Sequence, residues 1–432
     1  MKYLSWISRQ LVGSLFIVSG LIKANDPLGF SYKLHDYFAA DVFDLPGLEP
    51  YALGLAVFIC VSEILLGVAV LMRAQMVLSS ISLFVMIVFF TFLTFYSAAY
   101  DKVTDCGCFG DALKLTPWES FTKDVVLLVF ILIILIDELG LKRNRPEDQG
   151  GVFSDEVTFG VSVVLIALFS FGVISWGGPV WFTLLLLAIV YGLRKAVKIA
   201  SMDWIIAGFA AVYSLGFSYY CIENLPIRDY RPYAVGKSIP EGMKTAEELG
   251  VPAPVYANMY IKKRKSTNET FQMNSNDYLV KEVWKDQDLE LVEATEEVIT
   301  IQEGYEAPIH DFNLMSKDGN DDTDLILALP RVFLLISKDI SILEEGNMAK
   351  VKQLVTDGQA QGIPTVLLSS TNFEEQEAFM QKHGIEVPFY QADNTTLKTI
   401  IRANPGIVLL KNGVVNGKWH HNNTPSLADS GA

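Results

Sequence analysis

The chain has 432 residues, 51% of them hydrophobic and 19% charged, with a formal net charge of −15 at pH 7. That hydrophobicity excludes intrinsic disorder, and the acidic balance excludes a nucleic-acid binder, whose affinity rests on Lys and Arg neutralising phosphates. Four cysteines in this length exclude a disulfide-stapled scaffold.

The apolar character is concentrated at the start. Residues 1–221 carry 14 Lys+Arg and 18 Asp+Glu, against 20 and 31 in residues 222–432. Seven apolar runs, 8–24, 52–72, 76–97, 119–138, 157–175, 178–193 and 203–221, predict helices near the length of about 17–25 residues that crosses a bilayer. Placing the N-terminus in the cytoplasm puts Lys2, Arg9, Arg73, Lys142, Arg143, Arg145, Arg194, Lys195 and Lys198 inside. Lys23, Lys33, Lys102, Lys114 and Lys123 then lie outside, a split that follows the positive-inside rule. The expectation is a multi-pass protein of the cell inner membrane with a periplasmic tail from residue 222. The flank Lys23–Pro27 lacks a small-residue cleavage pattern, so the first helix is expected to stay.

Between the third and fourth runs the chain reads Asp105-Cys106-Gly107-Cys108-Phe109-Gly110-Asp111. A Cys-Gly-Cys bridge closes a small strained ring, and strained disulfides are the exchangeable ones. Cys106 and Cys108 are therefore the candidate redox pair. Cys221, at the outer end of the seventh run, and Cys60, within the second, are alternative disulfide partners, and the residues leave the pairing open. Glu63, mid-span in the second run, is the candidate intramembrane carboxylate: it can pair with a base, carry protons or hydrogen-bond a neighbouring helix. Lys23, Lys123 and Asp124 are expected to reach solvent from the membrane edge. No metal site is expected, and His420 and His421 read as exposed polar residues.

Two segments carry a family likeness. Gly13–Lys23 with Asp26-Pro27-Leu28-Gly29-Phe30 resembles the opening of DoxX-like membrane proteins, and Asp105–Trp118 resembles the second signature of the MauE branch. The resemblance covers residues 1–140 and implies a four-helix membrane bundle similar to quinone-linked disulfide-forming proteins. It implies that Cys106 and Cys108 take the place of that family's Cys-Gly-Cys, working beside a thioredoxin-like partner in the maturation of a periplasmic dehydrogenase for methylamine utilisation. The second Cys-x-x-Cys pair of a complete relay is absent, and quinone is the one cofactor the resemblance adds.

Three further membrane helices are expected over 141–222, then a Pro-rich connector with a small β-rich segment over 223–305. Alternation in Val255–Ile261 predicts a hairpin or small sheet, and Lys262–Lys265 its solvated end. Residues 306–432 alternate strands and helices: a short strand at Pro308–Leu314, strands at Arg331–Ser337 and Ile363–Ser369, a helix at Phe373–His383, and a closing hairpin around Asn412-Gly413. This order resembles a thioredoxin-like domain of the TlpA and peroxiredoxin type, with Pro405 at the position of that family's cis-proline. No cysteine follows Cys221, so the site of the family's Cys-x-x-Cys, here Lys338–Leu343, has no thiol. The fold class is thus mixed: a polytopic α-helical membrane bundle followed by an external α/β thioredoxin-like domain. Three functions compete. One is assistance to thiol–disulfide maturation through Cys106 and Cys108 with a periplasmic thiol or client protein. Another is a non-catalytic envelope scaffold that binds through the groove beside Pro405. The third is a quinone-linked oxidoreductase subunit using Glu63.

Overall fold

The computed structural model describes all residues except 1, 101, 104–106, 108, 142–152 and 197–200. Its first half is a helical bundle of α1 (Lys2–Asn25), α2 (Pro27–Phe38), α3 (Ala52–Leu71), α4 (Met76–Tyr100), α5 (Pro117–Leu141), α6 (Asp155–Gly172), α7 (Gly178–Ala196) and α8 (Met202–Asn224). Among the described residues six helical segments, those of α1, α3, α4, α6, α7 and α8, are long and apolar enough to cross a membrane. The remaining expected span, the fourth run, coincides with α5, which is as long but falls short of that standard. Glu119, Lys123 and Asp124 near one end and Asp137 and Glu138 near the other shorten its uncharged stretch. Its apolar face still joins the bundle, where Leu127, Ile131 and Ile134 pack with Val12, Phe16, Leu83 and Ile87.

Helix α1 is the central post of the bundle. One side contributes Val12 and Phe16 to the cluster with α4 and α5. The other contributes Ile17, Val18 and Leu21 to a cluster with α2, α3, α6, α7 and α8. Its contact with α3 is close enough to need glycine. A Cβ on Gly67 would lie 2.8 Å from the Gly13 carbonyl oxygen, and one on Gly13 would lie 2.6 Å from Leu71 Cγ. Small residues at such crossings let backbones approach where no hydrophobic driving force separates helix from lipid. Buried Arg9 donates from Nε to the Val70 carbonyl at 3.1 Å, a cation on the last carbonyls of α3. Outward, α4 presents Val85, Val88, Phe89, Phe92 and Phe95, all exposed, as a face suited to lipid.

The second half holds two sheets. A five-stranded sheet has the order β6-β5-β4-β7-β8, with β4 (Val332–Ser337), β5 (Thr365–Ser369), β6 (Phe389–Gln391), β7 (Gly406–Lys411) and β8 (Val414–His420). Strands β4, β5 and β6 run parallel, and β7 and β8 add an antiparallel edge. Every residue of β4 is buried because both faces of the sheet are covered. Val332, Leu334 and Ile336 meet Phe312, Leu314 and Ile400 on one face. Phe333 and Leu335 meet Val351, Leu354 and Phe379, from helices Met348–Ala360 and Phe373–His383, on the other. The β7–β8 turn takes positive φ at both Asn412 (48°) and Gly413 (73°), as a two-residue hairpin loop requires.

Two stretches differ from expectation. Residues 308–314 form no strand; Ile309, Phe312 and Leu314 instead plug one face of the sheet. Helix Asn394–Ile400 and strand β6, which pattern alone did not suggest, complete the parallel half. Tyr233 and Ile239 also join the core of this sheet, and Ile239 N–H donates to the Gly413 carbonyl at 2.9 Å. The smaller sheet, β1 (Val255–Arg264), β2 (Thr270–Asn274) and β3 (Leu289–Gln302) in the order β2-β1-β3, leaves and re-enters the domain at one point. There Tyr305 N–H meets the Pro252 carbonyl at 2.8 Å. Within the basic run that ends β1, Lys262 is not solvated: it is buried, with Nζ 4.3 Å from the Tyr278 ring centroid.

Candidate functional site

The α/β domain sits on the end of the bundle where α1 finishes, and α2 builds that seam. Asp26 caps α2 by accepting from Gly29 N–H at 2.8 Å, and Pro27 occupies the first helical position, where its missing N–H costs nothing. The same carboxylate receives Arg402 Nε at 3.1 and 2.9 Å, and Arg402 Nη2 reaches Asp111 Oδ2 at 3.5 Å. Burial works against the guanidinium charge, but Asp26 and Asp111 outweigh it and raise Arg402 above its ordinary range. Tyr32, on α2, is ringed by cations from the tail: Lys338 donates to its hydroxyl at 2.7 Å, and Lys338, Lys398 and Arg402 lie 5.1, 5.1 and 5.3 Å from its ring centroid.

A second knot closes the seam beside it. Asp229 accepts from Arg231 Nε at 2.7 Å and Lys418 Nζ at 2.6 Å. Burial pushes the Asp229 carboxyl up, and the two cations prevail, holding it at about 2. Burial and neighbouring Arg231 push Lys418 down to about 7, against the pull of Asp229. Asn25 at the end of α1 exchanges two hydrogen bonds with the backbone of Arg228, at 2.8 and 3.1 Å. Asn422 and Asn423 fasten the tail to Glu223 and Asn224 of α8. Enclosed between these contacts is a cavity of about 50 Å³, bordered by Lys23, Asp26, Lys33, Gly107, Asp229 and Arg402, with room for a few waters.

Pro405, in a cis bond after Asn404, is buried close to this seam. The position after β4 where a reactive pair would stand is tied down instead. Ser337 Oγ donates to Asn404 Oδ1 at 2.8 Å, and Asn404 Nδ2 donates to the Asp339 carbonyl at 2.8 Å. The open space alongside is a polar cavity of about 360 Å³ bordered by Glu223, Lys338, Arg402, Asn404, His420 and His421. His420 and His421 are not exposed as their composition suggested; both are buried, with ring centroids 4.1 Å apart. Burial pushes His420 down to about 4 and also lowers His421.

Cys106 and Cys108 lie outside the described residues. Gly107 between them has φ 65°, and a Cβ there would lie 3.2 Å from Lys33 Cγ. Phe109 is buried against Phe169, centroids 5.5 Å apart, with Lys123 Nζ 5.1 Å from its ring. Among the described residues Cys60 and Cys221 are both free and buried. Among the described residues no group of His, Cys, Asp and Glu is arranged to hold a metal.

Glu63 is paired. Its Oε1 receives Lys23 Nζ at 2.6 Å, and Lys23 also donates to Ser19 Oγ at 2.9 Å while lying over Phe30 and Phe90. Lys23 therefore does not reach for solvent, because a carboxylate on α3 meets it inside the bundle. Asp124 is likewise buried, between Lys123 at 2.8 Å and Thr94 at 3.1 Å. Glu63 borders none of the cavities described above. The seam residues Arg402, Tyr32, Asp229 and Lys418 were not singled out from the sequence. The Asp-Pro start signal of α2 was there to be read, but its partner stands 376 residues away.

No curated protein matches the chain. Residues 1–137 match the family described as methylamine utilisation protein MauE, a match that runs from α1 through most of α5.

Proposed function

We propose that this multi-pass membrane protein assists thiol–disulfide maturation of proteins on the tail side of the inner membrane, with Cys106 and Cys108 as the exchanging pair. The observation that carries the reading is the seam itself. The cis-proline edge of a cysteine-free α/β domain, thioredoxin-like in strand order, is fastened by Arg402 to Asp26 and to Asp111, three residues beyond Cys108. The chemistry is exchange: a client thiolate attacks the loop disulfide, a mixed disulfide forms, and the second client thiol displaces the loop. The client gains a disulfide, and the loop holds the two electrons and protons as a dithiol. In this account the tail is a periplasmic cover and docking module over the loop, and the Lys23–Glu63 pair fixes α1 to α3 beneath it.

The tie of Asn404 to Asp339 favours a second reading, an envelope scaffold with no thiol chemistry. The two part in one comparison, the double variant Cys106→Ser, Cys108→Ser against deletion of residues 306–432, scored by the oxidised fraction of envelope proteins in cells. The exchange reading expects the double variant to lose the oxidation as fully as the deletion. Full retention of oxidation in the double variant, with loss only in the deletion, assigns the chain to the scaffold class.

A further inference from the structure

The polar cavity of about 360 Å³ between the end of α8 and the tail is within the range of small-molecule sites. Three charged side chains on its wall, Glu223 of α8 and Lys338 and Glu344 from the turns after β4, make no ion pair among the described residues. Opposite charges that share a cavity attract, but these are held apart. Lys338 Nζ donates to the Tyr32 hydroxyl at 2.7 Å, and Glu223 accepts from Asn422 Nδ2 at 2.7 Å. Glu344 is anchored by its backbone, whose N–H donates to the Asn404 carbonyl at 2.9 Å. That carbonyl, just before cis-Pro405, is thereby taken, so recognition in this cavity falls to side chains rather than to an added strand. Arg402, also on the wall, is already met by Asp26 and Asp111. His420 and His421 bring no charge at pH 7, because burial lowers both. Glu223 and Glu344 both act on His421, whereas Lys338 stands with Arg402 at the Tyr32 ring. Leu28, Ile222 and Ile342 are the apolar part of the lining.

We infer that this cavity binds a small zwitterion, an amino acid or dipeptide with an apolar side chain, its carboxylate on Lys338 and its ammonium on Glu223 and Glu344. A simple anion would meet the two glutamates, and a simple cation would meet Lys338. An uncharged molecule would leave all three charges without a counter-charge. The inference stands apart from the redox reading, since it uses neither Cys106 nor Cys108.

The test uses the full chain in nanodiscs of phosphatidylcholine, titrated by calorimetry with leucine and with glycyl-leucine. Each is run beside its amide, which lacks the carboxylate, and its N-acetyl form, which lacks the ammonium. At least one zwitterion is expected to bind about tenfold more tightly than both of its derivatives, the worth of one hydrogen bond to a charged group. The tighter of the two tells a free amino acid from a short peptide. Lys338→Gln keeps a donor for Tyr32 and should weaken that zwitterion about tenfold without weakening its amide. Glu223→Gln with Glu344→Gln keeps an acceptor for Asn422 and should weaken it as much without weakening its N-acetyl form. No binding of either zwitterion, a derivative that binds as tightly as its parent, or a zwitterion unmoved by either set of substitutions overturns the inference.

Discussion

Replacing Arg402 with methionine keeps most of the side chain's length and removes its charge from the centre of the seam. Arg402 is 7% exposed, whereas the Asp26 and Asp111 side chains are 20% and 32% exposed. Removing one partner of a buried pair costs about 3–5 kcal/mol, because the other charge is left uncompensated. The residual water at Asp26 and Asp111 places this case near the lower end, about 3 kcal/mol. Asp26 also caps α2, so the loss should be felt there first. Amide exchange of the full chain in detergent should quicken by about two factors of ten in α2 and around residues 402–406. The three-stranded sheet β1–β3, which does not touch Arg402, should be unaffected. The double variant Arg402→Met, Asp26→Asn should recover part of the loss, with a coupling of about 1.5 kcal/mol or more. Exchange rates in α2 within twofold of wild type, or effects that simply add, refute the idea that this pair holds the domain to the bundle.

Inside the membrane, Lys23→Met or Glu63→Leu alone should cost about 3–5 kcal/mol by thermal unfolding in detergent, and the two together much less; a double variant as unstable as the sum contradicts a pairing role. Gly67→Leu should lower the melting temperature strongly, since its Cβ would lie 2.8 Å from the Gly13 carbonyl, and an unchanged melting temperature would show that α1 and α3 are not in that contact. Because burial lowers His420 from 6.5 to about 4, its contribution is present above pH 6.5 and is lost as pH falls toward 4, where the unfolded chain takes up a proton the folded one resists. His420→Phe should flatten the stability profile in that window; an identical profile would remove His420 as its cause.

The spans were legible because hydrophobicity is a local property: all seven predicted runs coincide with long helices. The α/β order was legible for a similar reason, since Val332–Ser337 and Thr365–Ser369 are continuous apolar runs and Asn412-Gly413 is a turn in itself. The seam was not. Arg402 is an unremarkable basic residue until Asp26 and Asp111 meet it, and those meetings join residues 376 and 291 positions apart. Composition also misplaced the charged residues of the bundle. Lys23 and Asp124 looked close enough to water to be solvated, yet Glu63 and Thr94 receive them on neighbouring helices. The histidine pair misled in the opposite way, because a polar run near a chain end says nothing about the cavity walls around it.

The most direct test of the account is the oxidation state of its four cysteines in native membranes, read by light and heavy alkylating reagents before and after mild reduction. Cys106 and Cys108 are predicted to carry the same oxidised fraction and to lose it together. Cys60 and Cys221, free and buried, are predicted to stay reduced and to react only after unfolding. Cys106 and Cys108 fully reduced from the outset, or an oxidised fraction shared with Cys221, would contradict the exchange mechanism.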